Sequence, residues 1–239
     1  ATHRPNPLTC IAIAQHVDRV ELFLEQLKAN NLMGLARRPL DLGWLSAHWR
    51  EKGGFTPLSQ MLALSLQKLA TEVLPSARAH AHLTPDDAIA SLDRIGAALV
   101  LQKLELLLIP DGGVAVQQHP RAGIVLHDVL SQLSPQQVLE LLSRPVFIPV
   151  QEGVARLAQD NRGDVRSLLA ARWLQIRITQ NCPRAEIRSL LFATTYGEPV
   201  VIPSMQQTAA WLSIWDTDTG REVAARDPEI LVQLGDPAS

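Results

Sequence analysis

Apolar residues recur three and four positions apart along several segments of the chain, a spacing that predicts amphipathic helices. Three of these segments begin with a hydroxyl residue followed by proline: Thr-Pro at 56–57, Thr-Pro at 84–85 and Ser-Pro at 134–135. The hydroxyl can cap the first helical turn, and proline is tolerated there because the N–H that it lacks would have no partner in that turn. The three pairs therefore predict three helix starts.

Short apolar stretches between these helices predict strands. The run "KLELLLIPDGG" (103–113) stops at a Gly-Gly turn and is followed by "VAVQQ", and residues 144–159 form two apolar stretches around a Glu-Gly turn. A further helical pattern covers residues 164–177. Helices followed by a hairpin and another helix predict a winged-helix-like arrangement.

The stretch "MGLARRPLDLGWLSAHWREKG" (33–53) carries one helical apolar pattern that Pro39 interrupts. Proline in a helix interior lacks a donor and clashes with the preceding turn, at a cost of about 3 kcal/mol. The residue before a proline is also biased away from the helical conformation. We therefore predict that a new helix starts at Pro39, with Arg37 and Arg38 at the C-terminal end of the preceding helix, where cations are favoured.

From residue 182 onward the pattern changes. Residues 182–205 predict a helix, a Gly-Glu-Pro turn and a short apolar stretch; a helix then starts at Ser204, and residues 227–239 add one more short helical turn. That last segment has little sequence left to pack against, so we expect the chain to be a segment of a longer protein. The run "WLSIWDTDTGREVAA" (211–225) also resembles the strand that closes a WD-repeat propeller blade, although no second copy occurs.

Composition and charge narrow the function classes. The 239 residues carry a formal net charge of −2 and no basic block, so nucleic-acid binding is not expected, because phosphate contacts need clustered Lys and Arg. No apolar run approaches the roughly 18 residues of a membrane span, and the N-terminus lacks the layout of an export signal. Cys10 and Cys182 stand far apart, as in proteins of a reducing compartment. We expect a cytoplasmic protein with no membrane partner.

No motif for catalysis or for metal binding stands out. The phosphate-binding loop Gly-x-x-x-x-Gly-Lys-Ser/Thr is absent, and the Gly-Gly pairs at 53–54 and 112–113 lack its lysine. His80 and His82 are the nearest approach to a metal pair, but no third ligand lies nearby. No nucleophile can be paired with a base, so the chain is predicted not to be an enzyme and to bind neither cofactor nor metal by itself.

Several of these segments resemble one family. "LARRPLDLGWLSAHWREKG" (35–53) resembles the helical lid that follows the nucleotide-binding core in bacterial STAND-class NTPases of the NACHT type. "TPDDAIASLDRIGAALVL" (84–101) is similar to the next helix of that family, and "LLSRPVFIPVQEGVARLAQDNRGDVRSLLAARWL" (141–174) is similar to its winged-helix hairpin and following helix. The family's aromatic-His-His-Arg run at the end of the second wing strand is replaced here by "RLAQDNRGDVR".

The resemblance implies a mainly α fold with three parts. Residues 1–55 would be a helical lid, 56–180 a winged-helix-like region with a short β-hairpin, and 181–239 the start of a C-terminal helical array that senses a partner. Pro39 would lie against a nucleotide, with Arg37 and Arg38 near its phosphates.

On this resemblance the parent protein would be an ATPase. ATP or ADP with Mg would be bound by an upstream nucleotide-binding core, the C-terminal helices would take a protein ligand, and activation would involve oligomer formation. Many members of this class serve in bacterial defence against phage.

Two other function classes compete with this interpretation. A free-standing winged-helix interaction module or DNA-binding regulator should carry a basic recognition helix, for which the candidate is 164–177 with Arg166, Arg172 and Arg177. A small hydrolase is the third hypothesis, although it lacks an identifiable nucleophile and base.

Overall fold

The computed structural model describes residues 19–37, 39–72, 83–109, 123–158 and 164–234. Within these ranges the chain is mainly helical, with one small sheet and a separate hairpin, which confirms the predicted mainly α class. The chain divides into two compact units, residues 1–61 with 236–239 and residues 62–235. The three-part division expected from the resemblance stays a prediction. No described helix is long and apolar enough to cross a membrane.

The first unit is built from helices that close around aromatic side chains. Its helices are α1 (Val20–Ala29), α2 (Met33–Ala36), α3 (Pro39–Lys52) and the first turn of α4 (Leu58–Thr71). The ring centroids of Phe23, Trp49 and Phe55 lie 5.4 to 5.6 Å from one another. His48 stacks on Phe55, and burial lowers the pKa of this histidine. These rings supply the apolar area that holds three short helices together.

The second unit begins with the rest of α4 and carries both sheets. Its elements follow in the order α5 (Pro85–Gln102), β1 (Leu106–Leu108), β2 (Gly123–Val125), α6 (Leu126–Val129), α7 (Pro135–Leu142), β3 (Phe147–Gln151), β4 (Val154–Leu157), α8 (Asp164–Thr179), α9 (Arg184–Leu191), β5 (Phe192–Thr195), β6 (Glu198–Val201), a 3₁₀ turn (Pro203–Met205), α10 (Gln206–Leu212), α11 (Thr217–Arg226) and α12 (Glu229–Leu234).

Two of the predicted helix starts have the expected caps. The hydroxyl of Thr84 accepts from the Asp87 N–H at 3.1 Å ahead of α5. Ser134 and Gln137 form a reciprocal capping box ahead of α7. At the remaining pair, Thr56-Pro57, α4 begins at the residue directly after Pro57. The starts at Thr84 and Ser134 were predictable because each cap is a local interaction within one helical turn.

Four short strands form the larger sheet in the order β2-β1-β4-β3. Strands β1 and β2 are parallel, whereas β4 pairs antiparallel with both β1 and β3. The β3–β4 hairpin turns at Glu152-Gly153 as predicted, and Gly153 has a φ of +70°, a conformation that suits glycine. Helices α6 and α7 lie between the first strands and this hairpin, which is the winged-helix-like order.

Helices α5 and α8 form the centre of the second unit and run antiparallel, because residue 93 lies opposite 172 and residue 96 lies opposite 169. They approach most closely at Gly96. A Cβ at that position would lie 2.3 Å from the Leu169 Cβ and 3.0 Å from the Arg166 carbonyl oxygen. Only glycine fits this contact without moving a helix.

A buried arginine joins three segments of the second unit. Arg144, 2% exposed, donates to the carbonyl oxygens of Ala70 and Leu83 and to Glu140 Oε1, the last at 2.9 Å. The Glu140 carboxylate also accepts from the Leu83 N–H at 3.0 Å. This network ties the end of α4 and the start of α5 to α7, and it places the buried guanidinium beside the Glu140 carboxylate.

The C-terminal part corrects two expectations. The helix predicted from 182 ends at Leu191, and residues 192–201 form a hairpin whose turn has positive φ at Tyr196 and Gly197. The propeller-strand interpretation of 211–225 is wrong, because this stretch holds the end of α10 and most of α11. Asp216 of the Trp-Asp pair is the N-cap of α11 and accepts from the Thr219 N–H.

Candidate functional site

The chain breaks at Pro39 as the sequence predicts. Helix α2 ends at Ala36, Arg37 is its exposed C-cap, and α3 begins at Pro39. Arg38 lies outside the described residues. An exposed guanidinium beside a helix start has the chemistry to meet a phosphate, but the nucleotide contact of these three residues stays a prediction.

The other polar candidates from the sequence fall outside the part of the chain that the structure describes. They are His80, His82 and the Gly-Gly pair at 112–113. Within the described ranges no group of three His, Cys, Asp or Glu side chains is placed to hold a metal ion.

The predicted recognition helix does not occupy the recognition position. It is α8, which follows the hairpin, whereas the helix that precedes the hairpin is α7. Helix α7 has the sequence "PQQVLELL" and carries one acid and no basic residue. Two of the three α8 arginines form ion pairs with other residues of the second unit, Arg166 with the exposed Glu105 at 3.0 Å and Arg172 with the buried Asp93 at 3.4 Å. Helix α7 therefore lacks a basic surface that could contact DNA, and two of the three arginines of α8 are already paired with acidic side chains of the same chain.

A groove of about 650 Å³ with both polar and apolar lining lies beside helices α5 and α8. We call it the α5–α8 groove. Its third side is the segment 129–132 between α6 and α7. The side chains that line the groove include Asp93, Arg94, Ala98, Leu101, Trp173, Ile176 and Arg177.

Asp93 lies at the base of the groove and is 1% exposed. Arg172 Nε lies 3.4 Å from its Oδ1, yet neither carboxylate oxygen has a hydrogen-bond partner within the described part of the chain. Burial raises the pKa of Asp93 to about 7, and the nearby Arg172 charge offsets only part of that effect. The helix pair thus holds a carboxyl group that changes protonation near neutral pH.

Two arginines lie at the rim of the groove. Arg94 is exposed and forms no ion pair or hydrogen bond with any described residue. The Arg177 guanidinium lies 5.8 Å from the centroid of the Trp173 ring and donates to the Cys182 thiol at 3.7 Å. Leu101 and Ile176 are 39% and 38% exposed, so the groove also presents large apolar side chains.

Comparison of the chain with protein-family models, curated proteins and solved structures found no match.

The sequence interpretation missed the α5–α8 groove and its buried carboxyl. One signal was present: Ile89, Asp93, Gly96 and Val100 follow one another at spacings of four, three and four, so the acid occupies a position on the apolar face of α5. An acid at such a position needs a distant partner, and here that partner is Arg172.

Proposed function

We propose that this chain is a non-catalytic regulatory segment of a nucleotide-dependent switch protein of the STAND class, NACHT type. The order of elements is the observation that carries the proposal. A helix that begins at Pro39 is followed by α4 and α5, the short strands, α6 and α7, the β3–β4 hairpin and α8. This is the order that the family resemblance implies for a lid followed by a winged helix.

In this proposal an upstream core binds ATP or ADP with Mg, and the present chain responds to it. In this arrangement Pro39 contacts the nucleotide, Arg37 and Arg38 lie near its phosphates, and the C-terminal helices bind a protein ligand. A nucleotide shifts such a two-state element only by binding one arrangement more tightly than the other. The parent would work in the cytoplasm, form an oligomer on activation and serve in bacterial defence.

Nucleotide release from the native polypeptide tests the role of Pro39. We expect Pro39→Ala to change the release rate of a fluorescent ADP analogue at least about threefold, because the helix start next to the nucleotide loses its fixed φ. Pro57→Ala is the matched control, since Pro57 also precedes a helix but has no proposed nucleotide contact. Equal release rates for wild type, Pro39→Ala and Pro57→Ala would remove Pro39 from the nucleotide site.

A free-standing protein-interaction module is the second candidate. It is favoured by the exposed apolar side chains on the winged-helix-like region, Leu139 on α7 at 56% and Val150 on β3 at 50%. Apolar side chains at these positions suit a protein partner better than a phosphate backbone. DNA binding that weakens steeply with salt would instead identify a DNA regulator.

A further inference from the structure

We propose that the α5–α8 groove binds an acidic, amphipathic polypeptide segment of a partner protein. The binding site lies on the winged-helix-like region rather than on the C-terminal helices, and it needs no nucleotide. It therefore adds a second partner surface to the proposed function and can be tested separately from it.

The charges of the groove favour an acidic partner. Asp93 already has Arg172 beside it at 3.4 Å and is nearly inaccessible to solvent, so it offers little negative charge to a ligand. Arg94 and Arg177 lie at the rim, and neither forms an ion pair with the described residues. In a chain whose net charge is −2, these two guanidinium groups make a local positive site. Carboxylates are their natural partners, since guanidinium donors match carboxylate oxygens in geometry.

The exposed apolar side chains that line the groove favour a partner with an apolar face. Leu101 and Ile176 each expose more than a third of their surface, and Trp173 is half-buried beneath Arg177. The side chain of Ala98 is small and leaves space over α5. Tryptophan and arginine are enriched where protein interfaces gain most of their binding energy. A purely acidic ligand would leave this apolar surface in water.

The length of the groove favours a polypeptide segment over a compact small molecule. Its lining on α5 runs from Ala90 to Gln102, which is about 18 Å at 1.5 Å per residue. That distance equals about three turns of a helix. An amphipathic helix lying in a groove presents apolar anchors every three or four residues and keeps its charged side chains at the rim. The groove offers both kinds of contact, with Leu101 and Ile176 as apolar side chains and Arg94 and Arg177 as charged ones.

A peptide selection on the folded chain tests the proposal. Random 16-residue peptides are displayed and selected against wild type, and the enriched peptides are then measured by fluorescence anisotropy. We expect enrichment of Asp and Glu together with apolar residues spaced three or four apart. We expect the Arg94→Glu/Arg177→Glu double variant to bind the selected peptide at least about tenfold more weakly, because like charges then face each other.

The matched control is Arg156→Glu, an exposed arginine on β4 that does not line the groove. Its affinity should stay within about twofold of wild type, because a single distant surface charge changes binding little. Ile176→Asp tests the apolar half and should also weaken binding at least about tenfold, since it places a like charge and a polar group against the peptide's apolar face. Circular dichroism confirms that each variant is folded.

Several results would overturn the proposal. These are a selection that yields no acidic amphipathic class, equal loss of affinity for Arg94→Glu/Arg177→Glu and Arg156→Glu, or NMR shift changes that avoid α5 and α8. Binding of anionic small molecules with no peptide enrichment would assign the groove to a different ligand class. None of these outcomes depends on nucleotide binding, so the proposed switch function would still stand or fall on its own experiment.

Discussion

Replacing Gly96 by alanine tests the helix contact on which the α5–α8 groove is built. A methyl group at residue 96 would lie 2.3 Å from the Leu169 Cβ, 3.0 Å from the Arg166 carbonyl oxygen and 3.3 Å from the Ala170 nitrogen. Ordinary contacts begin at 3.4 Å, and two of these three neighbours are backbone atoms that no rotamer change can move. The two helices must therefore separate by about 1 Å at this point.

The expected change in stability follows from two opposing effects. Overpacking of a close contact costs about 1–3 kcal/mol, and the upper half of that range applies here because backbone must move. Alanine is a better helix former than glycine by about 1 kcal/mol, which offsets part of the cost. We expect Gly96→Ala to lower the free energy of unfolding by about 1–2 kcal/mol. The nearby Asp93–Arg172 pair would be weakened by the same separation.

Hydrogen exchange of the amides in α5 and α8 measures this effect in the second unit itself. Gly220→Ala is the matched control, because Gly220 also lies inside a helix of the second unit and its nearest neighbour to a new Cβ is 3.5 Å away. There we expect a gain of about 0.5–1 kcal/mol. If Gly96→Ala stabilises the chain as Gly220→Ala does, the close approach of α5 and α8 is wrong.

Three further predictions concern buried charges and a helix cap. The folded-state pKa of Asp93 is raised to about 7 from 3.8, so between these values the folded chain holds a proton that the unfolded chain releases. The free energy of unfolding should therefore fall as pH rises from about 4 to 8. Asp93→Asn should flatten this slope in urea titrations, and an unchanged slope would refute the raised pKa. Arg144→Met should lower the free energy of unfolding by about 3–5 kcal/mol in the same assay, because a buried carboxylate and two carbonyls lose the guanidinium that donates to them. The surface variant Arg156→Met should leave the free energy of unfolding almost unchanged. Asp216→Ala should cost about 1–2 kcal/mol by removing the cap of α11, and Asp218→Ala, an exposed neighbour, should cost less; equal losses for the two aspartates would contradict the cap.

Features set by neighbours in the sequence were predictable. The caps at Thr84 and Ser134, the helix start at Pro39 and the Glu-Gly hairpin each depend on two to four adjacent residues, and the structure contains all four. Their physical causes are local: a side-chain oxygen that accepts from the first turn, a fixed φ, and a glycine at positive φ. The mainly α class followed from the spacing of apolar residues.

Two local features of the C-terminal part were nevertheless missed. Strand β5 was missed because "SLLFATT" continues the apolar pattern of α9, and its turn begins at Tyr196, where a hairpin turn ordinarily shows Asn, Asp or Gly. The Trp-Asp pair at 215–216 resembled the end of a propeller strand, whereas Asp216 is the N-cap of α11.

The α5–α8 groove requires a pairing across the fold. Asp93 and Arg172 are far apart in the sequence, and only the antiparallel packing of α5 and α8 brings them together. The same packing determines which arginines form ion pairs within the second unit and which remain at the rim of the groove. The sequence pattern alone assigned all three α8 arginines to one candidate surface, whereas the structure gives Arg166 and Arg172 partners inside the second unit.

Intact-mass measurement of the native polypeptide in its source cells is the most direct test that this chain belongs to a nucleotide-dependent switch protein. The proposed function predicts a species far heavier than 26.2 kDa, with upstream peptides that contain a Gly-x-x-x-x-Gly-Lys-Ser/Thr loop. A native species of 26.2 kDa would contradict it, because the chain would then act without a nucleotide-binding core.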